Sequence, residues 1–268
     1  MPAVKDGAAE RGQLTASAAE VYERFFVPAL FGEWAPRLCA AAAVGPRRQV
    51  LDVACGTGIV AREALRRGAE ATGLDRNAGM LAVARRLAPS VDWREGLAES
   101  LPFADESFDA VICQFGLMFF EDRVRSLREM GRVLRPGGRL AVATWDSLDG
   151  TPGYRAMVDL LQRLFGEQIA AGLRAPFVLG EPGDLRALFE AAGLQTPRIA
   201  TITGTARFPS IEGWVRTDIK GWTLADAIDD AQYAELQAAA REELQRFRQP
   251  DGAVAFASPA HIVTALKG

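Results

Sequence analysis

The sequence predicts an α/β protein built on a doubly wound, mainly parallel sheet. Short apolar runs alternate with amphipathic segments through the central part of the chain, the pattern of strand–helix–strand units. The run FDAVICQF at 108–115 is apolar on both faces, as strands buried inside a parallel sheet are. The turn ACGTG follows the first apolar run and leads into the first of these helices, where such folds bind ligands.

Composition narrows the class of protein. The chain has 268 residues, of which 49% are hydrophobic and 24% charged, as in one large globular domain. With 31 basic and 34 acidic residues the net charge is -3, which gives no reason to expect nucleic acid or an anionic membrane as partner. The polar first residues lack the apolar core of a signal peptide, and no apolar run is long enough to span a bilayer. We therefore expect a cytoplasmic protein.

The cysteine and histidine content predicts no metal site. The three cysteines are well separated, and a single histidine leaves little from which to build a zinc site.

Seven strands can be assigned along the chain. They are QVLDVAC, EATGLD, VDWRE, FDAVICQF, RLAVATW after an RPGG turn, TPRIATITG and AHIVTALK. The helices after the first, second and fourth strands are expected at 58–67, 77–87 and 121–134, and 151–192 is expected to be mostly helical. Residues 1–45 should form a tail and cap helices broken by Pro28 and Pro36, ahead of a domain at 46–268. A helical insertion at about 205–250 should cover the sheet before the last strand.

The glycine turn leaves two ligands open. GTGIVA fits the G-x-G-x-x-A pattern of dinucleotide sites, and Asp75 follows about twenty residues on, where an acid that binds ribose is expected. Taken alone, this pattern allows an NAD(P)-dependent oxidoreductase. However, Asp52 lies in the strand just before Gly56, and a carboxylate there would repel pyrophosphate and attract an ammonium or sulfonium group.

Several further segments resemble one known family. VLDVACGTG, GLDRNAGML, LPFADESFDAVICQFGLMFF and RVLRPGGRLAVATW follow one another over about 49–145. In this order they resemble the class I S-adenosylmethionine-dependent methyltransferases, nearest to the ubiquinone/menaquinone biosynthesis type that methylates small molecules. The resemblance implies a Rossmann-like seven-stranded sheet with an antiparallel last strand. It also implies S-adenosyl-L-methionine as cofactor and S-adenosyl-L-homocysteine as product.

The resemblance also implies the cofactor residues. Gly56 and Gly58 would let the backbone approach the ligand, Asp75 would bind the ribose hydroxyls, and Asp52 would favour the methionine end directly or through water and backbone groups. The other cofactor residues would be Ala54, Arg76, Met80, Ala98, Glu99, Gln114 and Phe115. Leu97 departs from the family, which often has Asp before Ala98 to bind the adenine amino group.

The acceptor is expected to be a small apolar or aromatic molecule, methylated on oxygen, carbon or nitrogen by in-line displacement. Placement and exclusion of water suffice for that reaction, and no acid is required. Candidate acceptor residues are Tyr22, Met118, Phe119, Trp145, Trp214 and Trp222. His261, at the predicted start of the last strand, is the candidate general base, and a strand histidine satisfied by backbone groups is the alternative.

Other functions remain open at this point. A protein that binds the cofactor without turnover is one alternative, and the oligomeric state could be monomer or homodimer. Methylation of nucleic acid or protein is less favoured, because QFGL stands after the fourth strand in place of Asn/Asp-Pro-Pro-Tyr/Phe.

Overall fold

A computed structural model describes residues 16–194, 196–221, 224 and 227–268, with side chains from residue 19 onwards. It confirms the α/β fold with a single seven-stranded sheet in the order β3-β2-β1-β4-β5-β7-β6. β7 runs antiparallel to both of its neighbours, and the other strand pairs are parallel. The strands are β1 Gln49–Val53, β2 Glu70–Asp75, β3 Asp92–Glu95, β4 Phe108–Gln114, β5 Leu134–Trp145, β6 Arg198–Phe208 and β7 Val254–Leu266.

Ten α-helices lie within the described ranges. They are α1 Ala16–Val21, α2 Trp34–Ala41, α3 Ile59–Arg66, α4 Ala78–Leu87, α5 Arg123–Val133, α6 Pro152–Phe165, α7 Glu167–Arg174, α8 Pro182–Ala191, α9 Ile211–Lys220 and α10 Asp230–Glu243. The strand order reverses between β1 and β4, so right-handed crossovers carry the chain to opposite faces of the sheet from this point. In such sheets the crevice for a ligand opens at the reversal, outside the carboxyl ends of the strands.

Side-chain caps explain where several helices begin. The Asn77 side chain accepts a hydrogen bond from the Met80 N–H (3.0 Å) and so starts α4 directly after β2. Asp229 and Gln232 form a reciprocal capping box at the start of α10. None of the helices in the described ranges is long and apolar enough to cross a membrane.

The sequence predicted that Pro28 would break the cap helices, but the helix continues through it. Residues Tyr22–Phe31 form a π-helix that contains Pro28 and continues α1. Wider turns with i→i+5 bonds accommodate irregular backbone that an α-helix would not. Pro36 lies in the first turn of α2, where its missing N–H has no partner to lose. The segment therefore folds back over the sheet as an almost continuous helical cover.

Three strands are longer than predicted. β5 begins at Leu134 instead of after the RPGG turn, and its pairing with β4 shifts register between Phe108 and Ala110 to absorb the extra residues. β6 continues to Phe208 and β7 starts at Val254, because the two strands pair along their whole shared length. The stretch between them is 209–253, close to the predicted insertion of about 205–250.

Candidate active site

The turn after β1 is shaped by residues in the left-handed region. Ala54, Gly56 and Gly58 have φ of 56°, 54° and 85°. A Cβ on Gly58 would lie 2.2 Å from Cη2 of Trp93, so glycine is required there by packing against β3. At Gly56 a Cβ would find nothing closer than the Tyr22 ring at 3.8 Å, and the backbone there faces the crevice. The two glycines therefore serve different purposes.

Asp75 at the end of β2 is held in place by backbone hydrogen bonds. Its Oδ2 accepts the Gly56 N–H and its Oδ1 accepts the Asn77 N–H, each at 2.8 Å. Burial raises the pKa of this carboxyl, and the two hydrogen bonds oppose the rise. Each oxygen has lone pairs beyond those used, and the side chain lines the crevice, so Asp75 can accept hydrogen bonds from two ligand hydroxyls.

The crevice is one cavity of about 950 Å³ including its open mouth. The structure brings eleven of the predicted residues together on its wall. They are Tyr22, Ala54, Gly56, Asp75, Arg76, Met80, Ala98, Glu99, Gln114, Phe115 and Phe119.

The cavity also has lining residues that the sequence did not identify. Leu97, noted only as a departure from the family, contributes an apolar side chain with 48% of its surface exposed. Phe31 comes from the π-helix, far from the glycine turn in sequence, and no local motif marks it. The others are Leu74, Asn77, Gly96, Gly116 and Phe120, which adjoin predicted residues in sequence.

Gln114 presents an unused polar atom to the cavity. Its Nε2 donates to the Phe31 carbonyl at 3.3 Å, whereas its buried Oε1 has no hydrogen-bond partner among the described residues. Buried polar atoms in native proteins are nearly always paired, so this oxygen is free to accept a hydrogen bond at the end of β4.

Asp52 and Gly58, predicted as cofactor residues, do not line the cavity. Asp52 is 1% exposed, and its Oδ2 accepts the Ala61 N–H (3.0 Å) in the first turn of α3. Burial raises the pKa of this carboxyl to about 8, and the charge of Asp75 adds to the rise. Its visible role is to join β1 to α3 behind the turn, because it satisfies one of the free N–H groups at the helix start.

His261 is not at the start of its strand, and the prediction of its position is wrong. The strand begins seven residues earlier, at Val254, and His261 pairs with Thr144 and Thr201 inside the sheet. Its Nδ1 lies 2.8 Å from Thr201 Oγ1, and its Nε2 lies 2.9 Å from the Gly180 carbonyl and 3.3 Å from Asp146 Oδ1. His261 lines neither cavity described here, and both ring nitrogens have structural partners.

The remaining acceptor candidates are divided among different places. Trp145 lines a second, smaller cavity beside the first, and its ring stacks on Phe115 with centroids 3.8 Å apart. Met118 is buried, and Trp214 packs in an aromatic cluster with Phe208 and Phe256. Neither lines either cavity. Trp222 falls outside the described residues. Within the described part of the chain, no group of three or more His, Cys, Asp or Glu side chains could hold a metal.

A family model and two curated relatives that match this chain are all described as methyltransferases. A family model described as a methyltransferase domain matches residues 51–142. A demethylmenaquinone methyltransferase of Lysinibacillus sphaericus is 35% identical over 181 residues, which cover 61% of this chain and 77% of that protein. One from Mycobacterium sp. (strain KMS) is 42% identical over 143 residues, and the match spans 53% of this chain but only 59% of that relative's length.

A solved structure adds support for the fold. Phosphoethanolamine N-methyltransferase 2 of Haemonchus contortus, in complex with S-adenosyl-L-methionine, superposes with a TM-score of 0.64 at 19% identity. The superposition covers 99% of this chain and 60% of that one.

Proposed function

Because the chain belongs to the S-adenosylmethionine-dependent methyltransferase family, we propose that it transfers the methyl group of S-adenosyl-L-methionine to a small apolar or aromatic acceptor. This family assignment leaves the nicotinamide-dependent alternative without support. The observation that carries the proposal is the pairing of Asp75 with the Gly56 amide at the mouth of β2. It holds a carboxylate beside the glycine turn, where two ribose hydroxyls can donate to it.

The rest of the first cavity supports an adenosyl ligand with a polar amino-acid end. Met80, Leu97 and Ala98 form an apolar wall, which suits a planar purine ring. The unpaired Gln114 Oε1 lies on the side of β4 and could accept a hydrogen bond from an ammonium group. Leu97 replaces a hydrogen-bonding acid with apolar surface, so we propose that recognition of the adenine here is mainly hydrophobic.

Methyl transfer requires the protein to position the acceptor and the cofactor more than to transfer protons. S-adenosyl-L-methionine supplies an activated methyl group on a sulfonium centre, which becomes a neutral thioether when the methyl leaves. The residues of this chain orient the acceptor in line and exclude water. Tyr22 and Phe31 of the π-helix stack with centroids 5.1 Å apart and line the cavity near the glycine turn. Burial raises the pKa of Tyr22, so its hydroxyl stays protonated and can donate a hydrogen bond.

The finer features of the function are also proposals. Relatives named demethylmenaquinone methyltransferase favour a hydroquinone-type ring as acceptor. We propose that the enzyme is cytoplasmic and acts as a monomer or homodimer. We also propose that it neither binds nucleic acid nor inserts into a membrane, in keeping with the net charge of -3.

Calorimetric titration with S-adenosyl-L-homocysteine, beside NAD and NADP, tests the cofactor. The unmodified chain should bind S-adenosyl-L-homocysteine and neither dinucleotide. Asp75→Ala should weaken binding by about 10- to 100-fold, the value of hydrogen bonds to a charged group. Asp159→Ala, which removes an exposed carboxylate from α6, is the matched control and should bind normally. Preferential binding of NAD, or an unchanged affinity in Asp75→Ala, would overturn the proposal.

Turnover is a separate measurement. The chain is incubated with S-adenosyl-L-methionine and a reduced naphthohydroquinone, and S-adenosyl-L-homocysteine and methylated product are quantified together. Equimolar appearance of both products supports a methyltransferase. Binding of the cofactor without turnover of any hydroxylated aromatic compound tested would instead favour the alternative of a cofactor-binding protein that has no catalytic activity.

A further inference from the structure

A second cavity lies next to the first and is lined almost entirely by apolar and aromatic side chains. It encloses about 330 Å³ including its opening. Phe31 lines both cavities, and Trp145 stacks on Phe115, which lines the first. The two cavities are therefore neighbours, and Phe31 forms part of the wall of each.

One acidic residue lies in this apolar wall. Asp218 of α9 is 1% exposed, and its Oδ1 lies 3.3 Å from the Tyr154 hydroxyl, which donates to it from α6. The other carboxyl oxygen, Oδ2, makes no hydrogen bond to any part of the chain that the structure describes. Leaving a buried carboxyl oxygen without a hydrogen bond is unfavourable, so a site that keeps one is suited to a ligand that supplies a donor.

Trp214, one helical turn before Asp218, does not supply that partner. Its indole N–H lies near enough to lower the pKa of the carboxyl, but it makes no hydrogen bond of normal geometry within the described residues. Burial outweighs this effect and raises the pKa of Asp218 to about 8. A carboxyl that is mostly protonated near neutral pH attracts a cation weakly, which disfavours an ammonium ligand.

A hydroxyl group satisfies Asp218 in either protonation state. It donates to the ionised carboxylate and accepts from the protonated acid. Flat rings at Phe31, Trp145 and Phe177 favour a planar molecule between them, through offset or edge-to-face contacts. The chemistry of the wall thus selects an aromatic ring that carries a hydroxyl group.

We propose that the second cavity is the acceptor pocket, that it takes a hydroxylated aromatic ring, and that Asp218 with Tyr154 recognises its hydroxyl. This inference rests on the proposed methyltransferase function and identifies Asp218 as the residue that determines acceptor specificity. Neither residue lines the first cavity, so changes at Asp218 leave the cofactor contacts intact.

Binding of two matched probes tests the pocket. The full chain, saturated with S-adenosyl-L-homocysteine, is titrated with a naphthol and with the methoxynaphthalene in which the same hydroxyl is capped. The naphthol should bind about tenfold more tightly or better, the value of one good hydrogen bond to a buried carboxyl. Equal binding of the two probes by the unmodified chain would overturn the proposal without need of any variant.

Variants then locate the preference. Asp218→Leu, similar in size but apolar, should bind both probes equally, and Tyr154→Phe should reduce the preference for naphthol. Asp159→Leu on the exposed face of α6 is the control and should retain the full preference. If Asp218→Leu is stable and still prefers naphthol, or if naphthol competes with S-adenosyl-L-homocysteine, the acceptor pocket lies elsewhere.

The cofactor titration separates the two proposals. Normal S-adenosyl-L-homocysteine affinity together with equal binding of both probes would refute only the acceptor pocket. Failure of the unmodified chain to bind S-adenosyl-L-homocysteine would refute the proposed function, whatever the probes show.

Discussion

Leu97 places half-exposed apolar surface in the first cavity at a position where the related family often has an acid. A bound purine would cover this side chain and remove its surface from water. Affinity for the cofactor should therefore depend on the size of the side chain at this position and only weakly on salt, since no charge is involved.

Leu97→Ala should weaken S-adenosyl-L-homocysteine binding by about fivefold, because roughly 1 kcal/mol of burial is lost from a side chain that the ligand covers in part. Titration calorimetry at low and high salt measures both the loss and its salt dependence. Leu266→Ala, at another exposed leucine (59%) outside both cavities, is the matched control. An unchanged affinity in Leu97→Ala would mean that the purine binds away from this wall.

At this scale the sequence predicted residues that belong to local motifs. Asp75 ends β2 and Gly56 lies in the turn just after β1, and the carboxyl ends of neighbouring parallel strands meet at one edge, so their contact follows from spacing. Asp218 and Tyr154 were missed because they are 64 residues apart on helices whose packing no pattern records. Asp52 was placed on the correct strand, yet its side chain turns toward α3.

The turn between β1 and α3 depends on the close approach of β3. Trp93 projects from β3 across β2, and its indole lies against both Gly58 and Gly73. The indole N–H donates to the Ala88 carbonyl (2.8 Å), which fixes the ring in this position. The glycine pattern is thus as much a requirement of packing as of ligand binding.

Gly58→Ala should lower the free energy of unfolding by about 2–4 kcal/mol, because overpacking against Trp93 adds to the cost of a positive φ. Gly137→Ala is the matched control, since Gly137 has φ of 75° and nothing within 4 Å of its added Cβ. It should lose only the backbone cost of about 1 kcal/mol. Urea unfolding of both variants measures the difference, and equal losses would show that Trp93 moves aside freely.

Element existence was easier to predict than element length. Apolar runs located all seven strands. However, β6 and β7 are longer than predicted because they pair with each other, and the strand propensity of Val254 or Phe208 alone does not reveal a pairing partner. This extension moved His261 from a strand end to the middle of the sheet. Pro28 indicated a break that the π-helix avoids.

Over the whole molecule, buried carboxyls couple stability to pH. The pKa of Asp52 is raised from 3.8 to about 8, so the folded chain holds this proton more tightly than the unfolded chain. The contribution of Asp52 to stability is therefore fully present below about pH 4 and is lost as pH rises toward 8.

Asp52→Asn lacks this titration, so its stability relative to the unmodified chain should improve steadily from pH 5 to pH 8. Acids with lowered pKa, such as Glu63 and Asp109, act in the opposite direction but are common to both proteins and cancel. Urea unfolding at several pH values measures the difference, and Asp159→Asn serves as control. Parallel stability curves for Asp52→Asn and the unmodified chain would contradict the raised pKa.

The position of β7 has a consequence for how the protein is made. The strand latest in the chain lies between β5 and β6, and it completes the hydrogen bonding of both. During synthesis β5 and β6 leave the ribosome before β7. Until β7 inserts between them, their facing edges have unpaired backbone N–H and C=O groups, which are prone to pair with other chains. The cover also depends on a late strand, because Glu33, just after the π-helix, accepts a hydrogen bond from the Thr205 N–H of β6 at 2.7 Å. The sheet is thus completed only after Val254–Leu266 has been made, and a chain truncated before Val254 would leave the facing edges of β5 and β6 unpaired.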